Sequence, residues 1–161
     1  MSGAMFMEIE GIKGESQFKG HEGQIDIESW SWGLTQPTST HTGGGGTSGK
    51  ANVGDLSFVH KVDKSSPNLM QACFLGKHIP SALLTQREAA GDDSVPFLTI
   101  KMTDLVISGV NTGANGEAKP VESVNLNFAK VEIEYKEQDE KGKPKGGPVK
   151  AGFDIKKNVK V

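Results

Sequence analysis

The stretch Gly44-Gly-Gly-Thr-Ser-Gly49-Lys50 has the G-x-x-x-x-G-K spacing of a phosphate-binding loop. Such a loop cradles phosphates with backbone amides and needs a Ser or Thr after the lysine to hold magnesium. Position 51 is alanine. The loop must also leave a buried strand and enter a helix whose N-terminus faces the anion. Polar residues precede it and Ala51-Asn-Val-Gly-Asp follows, so the spacing is not a nucleotide site. The four histidines, His21, His41, His60 and His78, have no His or Cys at metal-ligand spacing. They read as surface or hydrogen-bonded residues. The single cysteine, Cys73, excludes an internal disulfide and a cysteine-based zinc site. Pairing it with His78 as a nucleophile conflicts with its place on an apolar helical stripe, where a thiolate is disfavoured. The acidic residues are scattered, and no two stand out as acid and base. The expectation is a protein without catalytic residues, metal or cofactor.

The elements around these residues are mostly strands. Residues 5–9 form a short strand, and 24–32 a longer one with Ile25 and Ile27 on one face and Trp30 and Trp32 on the other. On that alternation Ser31 shares the face of Ile25 and Ile27. Residues 35–50 form a long glycine-rich loop, and long loops are functional or mobile. Residues 55–62 read as a strand. The one helix is 65–75, with Ser66 as N-cap, Pro67 early in the helix and Gly76 as the stop. Leu69, Met70, Cys73 and Phe74 make its apolar stripe. Strands follow over 79–87, 96–110 and 121–135. In the last, the apolar residues change parity between Phe128 and Val131, which predicts a bulge near Ala129 and Lys130. After a charged loop at 136–148, residues 149–161 alternate as one strand with Val149, Ala151, Phe153, Ile155, Val159 and Val161 on one face.

Composition agrees with a turn-rich β protein. Glycine makes up 21 of 161 residues, nearly twice the usual share of about 7%. At this length one domain, 1–161, can bury a core without metals or disulfides. A charged fraction of 24% is ordinary and argues against global disorder. The N-terminus lacks the basic and apolar regions of a secretory signal, and no stretch reaches the length of a membrane span. Residues 136–161 carry eight lysines against four acids, while the rest carries ten basic residues against sixteen acidic ones. The tail lysines sit in a Gly/Pro loop or alternate along a strand, so nucleic acid is not the expected partner. The architecture predicted is mainly β: a two-sheet antiparallel β-barrel with one flanking α-helix.

Two features point outward. Trp30 and Trp32 are either core packing or interface anchors, a role in which tryptophan is enriched. The 35–50 loop, with Gly43, Gly44, Gly45, Gly46 and Lys50, is either a flap or an arm that orders on a neighbour.

Several segments, in order along nearly the whole chain, resemble the Hcp (haemolysin-coregulated protein) family, the tube subunit of the bacterial type VI secretion system. They are Ile12-Lys-Gly-Glu-Ser16, Trp30-Ser-Trp-Gly33, Gly43-Gly-Gly-Gly46, Asp55-Leu-Ser-Phe58, Asp63-Lys-Ser-Ser-Pro-Asn-Leu-Met70 and Gly76-Lys-His78. Val124-Asn-Leu-Asn-Phe-Ala129, Val131-Glu-Ile-Glu-Tyr135 and Gly146-Gly-Pro-Val149 follow. Residues 82–87 and 136–145 depart from the family pattern. The resemblance implies homohexameric rings that stack into a tube inside a contractile sheath, capped by a VgrG-like spike protein. It implies effector proteins as lumen cargo, with Ser31 facing the channel. Trp30, Trp32, Gly43–Gly46 and Lys50 are then expected at subunit or ring contacts. It also implies residence in the bacterial cytoplasm before firing, then secretion without a signal peptide. The competing reading is a monomeric barrel that binds a small ligand, although small barrels are usually filled by their own side chains.

Overall fold

The computed structural model describes residues 4–37, 50–88 and 95–161. Gly43–Gly46 and most of the 35–50 loop lie outside the described residues. Eleven strands and one helix follow in order: β1 (Ala4–Ile9), β2 (Ile25–Asp26), β3 (Ser29–Ser31), β4 (Leu34–Thr35), β5 (Asn52–Val53), β6 (Leu56–Lys61), α1 (Ser65–Leu75), β7 (Ile79–Arg87), β8 (Pro96–Gly113), β9 (Val121–Tyr135), β10 (Val149–Asp154) and β11 (Val159–Lys160). The protein is mainly β, and all strand pairs are antiparallel, in one nine-stranded sheet and a two-stranded ribbon of β4 and β5.

The large sheet runs β11-β10-β9-β8-β7-β1-β2, and β9 also pairs β6, which pairs β3. The segment 25–31 links the β2 end of this path to the β3–β6 branch. Ile27 donates its N–H to the Met5 carbonyl at 3.1 Å, and Glu28 donates to Val59 at 2.8 Å. The predicted 24–32 strand is therefore two short strands, since the chain crosses there from β1 to β6. A circuit of hydrogen bonds runs β9-β8-β7-β1, through 25–31, to β6 and back to β9. Inside it, Met7, Phe58, Leu84, Met102 and Leu126 are buried and fill the space.

β9 occupies the predicted 121–135. Its buried residues shift parity as expected, from Val124, Leu126 and Phe128 to Val131. The partner strand shifts at the same rungs, from Leu105 to Met102, and the register holds: Phe128 faces Leu105 and Val131 faces Met102. The irregular residue is Asp104, at φ 53°, and the register slip lies instead between Ile107 and Gly109. Both strands turn over together, so no extra residue is needed at Ala129–Lys130.

The helix has the predicted bounds, and Gly76 ends it in the left-handed region (φ 59°, ψ 36°) that glycine adopts without strain. Its start differs. Lys64 is the cap residue and offers no side-chain bond. Asp63 Oδ1 instead accepts the Ser65 N–H at 2.8 Å, while Ser66 Oγ accepts the Asp63 N–H at 3.2 Å. This is a reciprocal exchange of the capping-box kind. The buried stripe is Ser65, Ser66, Leu69 and Ala72, with Cys73 at its edge. Phe74 falls outside it and is exposed.

The predicted final strand is a hairpin. β10 and β11 pair through Phe153–Lys160 and Asp154–Val159. Asn158 at φ 57° sits in the turn between them, a conformation asparagine tolerates better than most residues. Val159 thus lies opposite Asp154, not in line with Phe153.

Candidate assembly and lumen surface

Trp30 and Trp32 both pack inward, half-buried against the core. The Trp30 Nε1–H donates to Gln86 Oε1 at 3.1 Å. The Trp32 Nε1–H donates to the Gly54 carbonyl at 2.9 Å, and its ring lies 6.0 Å from that of Phe128. Their polar hydrogens are satisfied within the chain, which is how large aromatics are accommodated in a barrel wall.

Ser31 sits between them on the opposite face and is exposed. It does not share the face of Ile25 and Ile27, which are buried. The crossing between β2 and β3 slips the inward parity by one, from odd to even positions. The register then builds a row around Ser31. It faces Ser57 on β6, Ser57 faces Asn125 on β9, and Asn125 faces Gly109 on β8. Residues directly opposite in antiparallel pairs share a face. The next row is Ser29, Val59, Ser123 and Asn111. Ser57 Oγ and Ser123 Oγ are 3.4 Å apart. At the rim, the Asp55 carboxylate accepts from Ser108 Oγ at 2.6 Å and Asn127 Nδ2 at 2.8 Å. A side chain at Gly109 would come within 3.0 Å of the Asn125 amide nitrogen, so glycine there lets Asn125 lie flat. The result is a wall of hydroxyls and amides. Apart from Ser29, its members are 24 to 96 positions from Ser31 in the chain, and only the register joins them.

Lys50 is exposed just before β5. A strand follows it, not the helix that a phosphate-binding loop requires. Gly43, Gly44, Gly45 and Gly46 lie outside the described residues.

The histidines divide by burial. His21 is buried, stacked on Phe6 with centroids 4.2 Å apart and its Nδ1 3.0 Å from Gln24 Oε1. His78 is exposed beside Asp104 at 3.2 Å. His41 lies outside the described residues. His60 is the one that composition does not anticipate. Its Nε2 is 2.8 Å from Glu122 Oε1, both side chains are fully buried, and Thr112 Oγ1 donates to the other carboxylate oxygen at 2.9 Å. This couples β6, β9 and β8 beneath the helix start, where His60 Nδ1 lies 3.9 Å from Asp63. A buried network with this many partners holds strands in register. Among the described residues, no three His, Cys, Asp or Glu side chains gather in a way that would hold a metal ion. No described helix is long and apolar enough to cross a membrane.

The family model described as "Type VI secretion system effector, Hcp" matches residues 6–135. Protein hcp1 of Pseudomonas aeruginosa is 48% identical over 158 residues, covering 98% of both chains. The crystal structure of Hcp1 from Salmonella typhimurium superposes with a TM-score of 0.83 at 36% identity, over all of both chains. A type six secretion system protein of known structure superposes at 0.92 with 27% identity, over 99% of this chain and all of the other. With a family model spanning most of the chain, and relatives that match nearly end to end, the chain belongs to the Hcp family of type VI secretion proteins.

Proposed function

We propose that this chain is the tube subunit of a type VI secretion machine. Six copies close into a ring, the rings stack, and effector proteins ride in the lumen against the face centred on Ser31. The observation that carries this reading is that face in a member of this family. Ser31, Ser57 and Asn125 form a polar row without a charged residue, on the outer side of a barrel whose interior is already filled. Hydroxyls and amides offer hydrogen bonds without a strong field. Cargo can then be held at many points, each worth only about 1 kcal/mol, and still be released. The role is structural rather than catalytic. The spike protein and the contractile sheath are the partners that such a tube requires. The chain waits in the bacterial cytoplasm and leaves when the tube is fired.

The loop around 35–50, with Gly43–Gly46 and Lys50, reaches the adjacent subunit or ring in this reading. A ring needs a head-to-tail contact that closes on rotation, and a stack needs two unlike ring faces. The basic residues 136–161 and the more acidic remainder suit such stacking.

The deciding experiment is native mass spectrometry at low micromolar concentration, with negative-stain imaging of the same sample. The expected result is a mass six times the 17.1 kDa of one chain, with annular particles. A monomer at every concentration and salt tried overturns the reading.

A further inference from the structure

The β4–β5 ribbon is a separate sheet of two rungs, with Leu34 opposite Val53 and Thr35 opposite Asn52. A two-stranded ribbon is marginally stable at best on its own, so its direction must come from its base. Gly33 leads into β4 and Gly54 follows β5. Gly54 donates its N–H to the Gly33 carbonyl at 2.9 Å, and a side chain at Gly54 would come within 3.0 Å of that oxygen. The two chains meet there at a distance that suits glycine. The Gly54 carbonyl accepts the Trp32 Nε1–H, also at 2.9 Å. The base is thus closed by one backbone bond and one indole bond.

Trp32 lends the ribbon a fixed point because its ring belongs to the body of the molecule. The ring packs against the core, 6.0 Å from that of Phe128. It also lines a cleft of about 190 Å³, with Leu34 and Val53 of the ribbon on one side and Ile133 and Phe153 of the large sheet on the other. The indole stands in the angle between ribbon and sheet. Asp55, the next residue of the returning chain, is held separately: its carboxylate accepts from Ser108 Oγ and Asn127 Nδ2. Leu56 then enters the core, fully buried. Trp30 supplies a contrast. It is also half-buried against the core, but its Nε1–H ends on Gln86 of β7, within the large sheet.

We propose that Trp32 is a positioning residue for assembly. Its indole N–H, bound to the Gly54 carbonyl, sets the angle at which the β4–β5 ribbon leaves the barrel and so aims the loop between those strands at the neighbouring copy. This role rests on the reading above, in which that loop reaches the adjacent subunit or ring. A tryptophan that only fills the wall needs its ring, since apolar contact is non-directional. One that aims the ribbon needs its N–H, since a hydrogen bond fixes both distance and direction.

The test compares Trp32→Phe with Trp30→Phe in the full chain. Each variant keeps an aromatic ring in the wall and loses one indole N–H. Sedimentation measures assembly, and near-ultraviolet circular dichroism checks the fold. Trp32→Phe is expected to raise the concentration needed for half-assembly by at least about 5-fold, the factor that a hydrogen bond of about 1 kcal/mol corresponds to. Trp30→Phe is expected to stay within about 2-fold of the parent. The ribbon's position is read from the distance between spin labels at the exposed positions Thr35→Cys and Lys101→Cys, in a Cys73→Ser background, with labelled chain diluted into unlabelled chain. That distance distribution is expected to broaden in Trp32→Phe and to match the parent in Trp30→Phe. If Trp32→Phe does not fold, Gly54→Ala replaces it: the added methyl group crowds the Gly33 carbonyl and leaves both tryptophans in place, with the same weakening and broadening expected. Equal weakening by the two tryptophan variants with unchanged distances returns Trp32 to wall packing and overturns the positioning role. Assembly of Trp32→Phe at the parent's concentration overturns it as well. Deleting Gly43–Gly46 separates this role from the reading beneath it. If the deletion weakens assembly and Trp32→Phe does not, the loop reading stands and the role of Trp32 falls. If the deletion leaves assembly unchanged, the loop reading falls and takes the role of Trp32 with it.

Discussion

The two halves of β9 have the same local chemistry and opposite fates. From Val121 to Phe128, apolar residues alternate with Ser123, Asn125 and Asn127, and neighbouring strands lie on both sides. Val124, Leu126 and Phe128 are buried within one chain. From Lys130 to Tyr135, Val131, Ile133 and Tyr135 alternate with Lys130, Glu132 and Glu134, again with strands on both sides. Here the inward face grows more exposed toward its end. Strand pairing is complete in both halves; the covering layer is not. The first half is finished by the monomer's own wall, and the second extends past that wall. The outward faces differ in the same way. The finished half presents hydroxyls and amides. The unfinished half presents Glu132 and Glu134, with Lys150 3.8 Å and Lys136 3.6 Å from the latter. Such exposed pairs add little stability and serve to keep that face in water.

The strongest way to break the finished half is at Glu122. Replacing it with alanine leaves His60 buried without its acceptor, while the exposed Thr112 hydroxyl can turn to water. The expected loss is about 3 kcal/mol or more, read as a shift in the urea midpoint with an unchanged slope. Glu122→Gln keeps an acceptor for one of them and is expected to cost less. Equal melting of the alanine variant and the parent would mean that the network does not hold this half together.

The contrast itself is sharpened by a matched pair of changes. Leu126→Ala removes a buried side chain from the finished half and is expected to cost about 2–5 kcal/mol. Val149→Thr alters the exposed end of the unfinished half, keeps β-branching, and is expected to stay within about 0.5 kcal/mol for the monomer. Similar losses at both sites, measured below the assembly concentration, would show that the uncovered face is supported within one chain.

How much of this is legible in the sequence depends on how local the cause is. The helix 65–75 and the strand 121–135 are readable because neighbours in the chain set them: Gly76 supplies the left-handed stop, and alternation runs through β9 even across its change of parity. The crossing at Ile27–Glu28 is not readable. Alternation continues on both sides of it, and only the pairing with Met5 and Val59 shows that the chain has changed neighbour. The hairpin at 155–158 hides for a similar reason, since Val159 and Val161 continue the alternation of β10 while Asn158 turns the chain. Phe74 looks like core because it is apolar and near Leu69, but the buried stripe runs through Ala72 instead. For the candidate site, the family resemblance of the Trp-Ser-Trp segment singles out Ser31, but alternation from Ile25 and Ile27 assigns it the wrong face, because the crossing at Ile27–Glu28 is hidden. Ser57, Ser123 and Asn125 are not legible, because common polar residues gain meaning only from the register that aligns them.

That wall is the next place to test the finished half. Ser31→Trp projects a large ring from an exposed position whose neighbours Trp30 and Trp32 point inward. Its effect on folding is expected to stay within about 0.5 kcal/mol, and rings are expected to form normally. Co-purification of effector with the ring is expected to fall sharply. If the rings are lost instead, Ser31 lies at a subunit contact and not in the lumen.

The smallest expected effect lies beyond the unfinished half, at Asp139. Its carboxylate accepts the N–H groups of Lys143 at 3.0 Å and Lys141 at 2.8 Å. These bonds hold its pKa below the ordinary aspartate range against the opposing effect of desolvation, with smaller help from the positive charges of Lys143 and Lys145. The folded value is the lower one, so the charged form favours the ordered turn. That contribution is complete above the ordinary range and is lost as pH falls through the depressed value. The group is exposed, so the change stays local. In a nuclear magnetic resonance titration the Lys141 and Lys143 amide signals are expected to move toward positions typical of an open loop as pH drops below the ordinary aspartate range. The amides of Val124 and Leu126 should hold still over the same range. Asp139→Asn should remove the titration. If the barrel amides move with the loop, the turn at 139–143 is coupled to the whole fold, and the two halves of β9 are less independent than their burial implies.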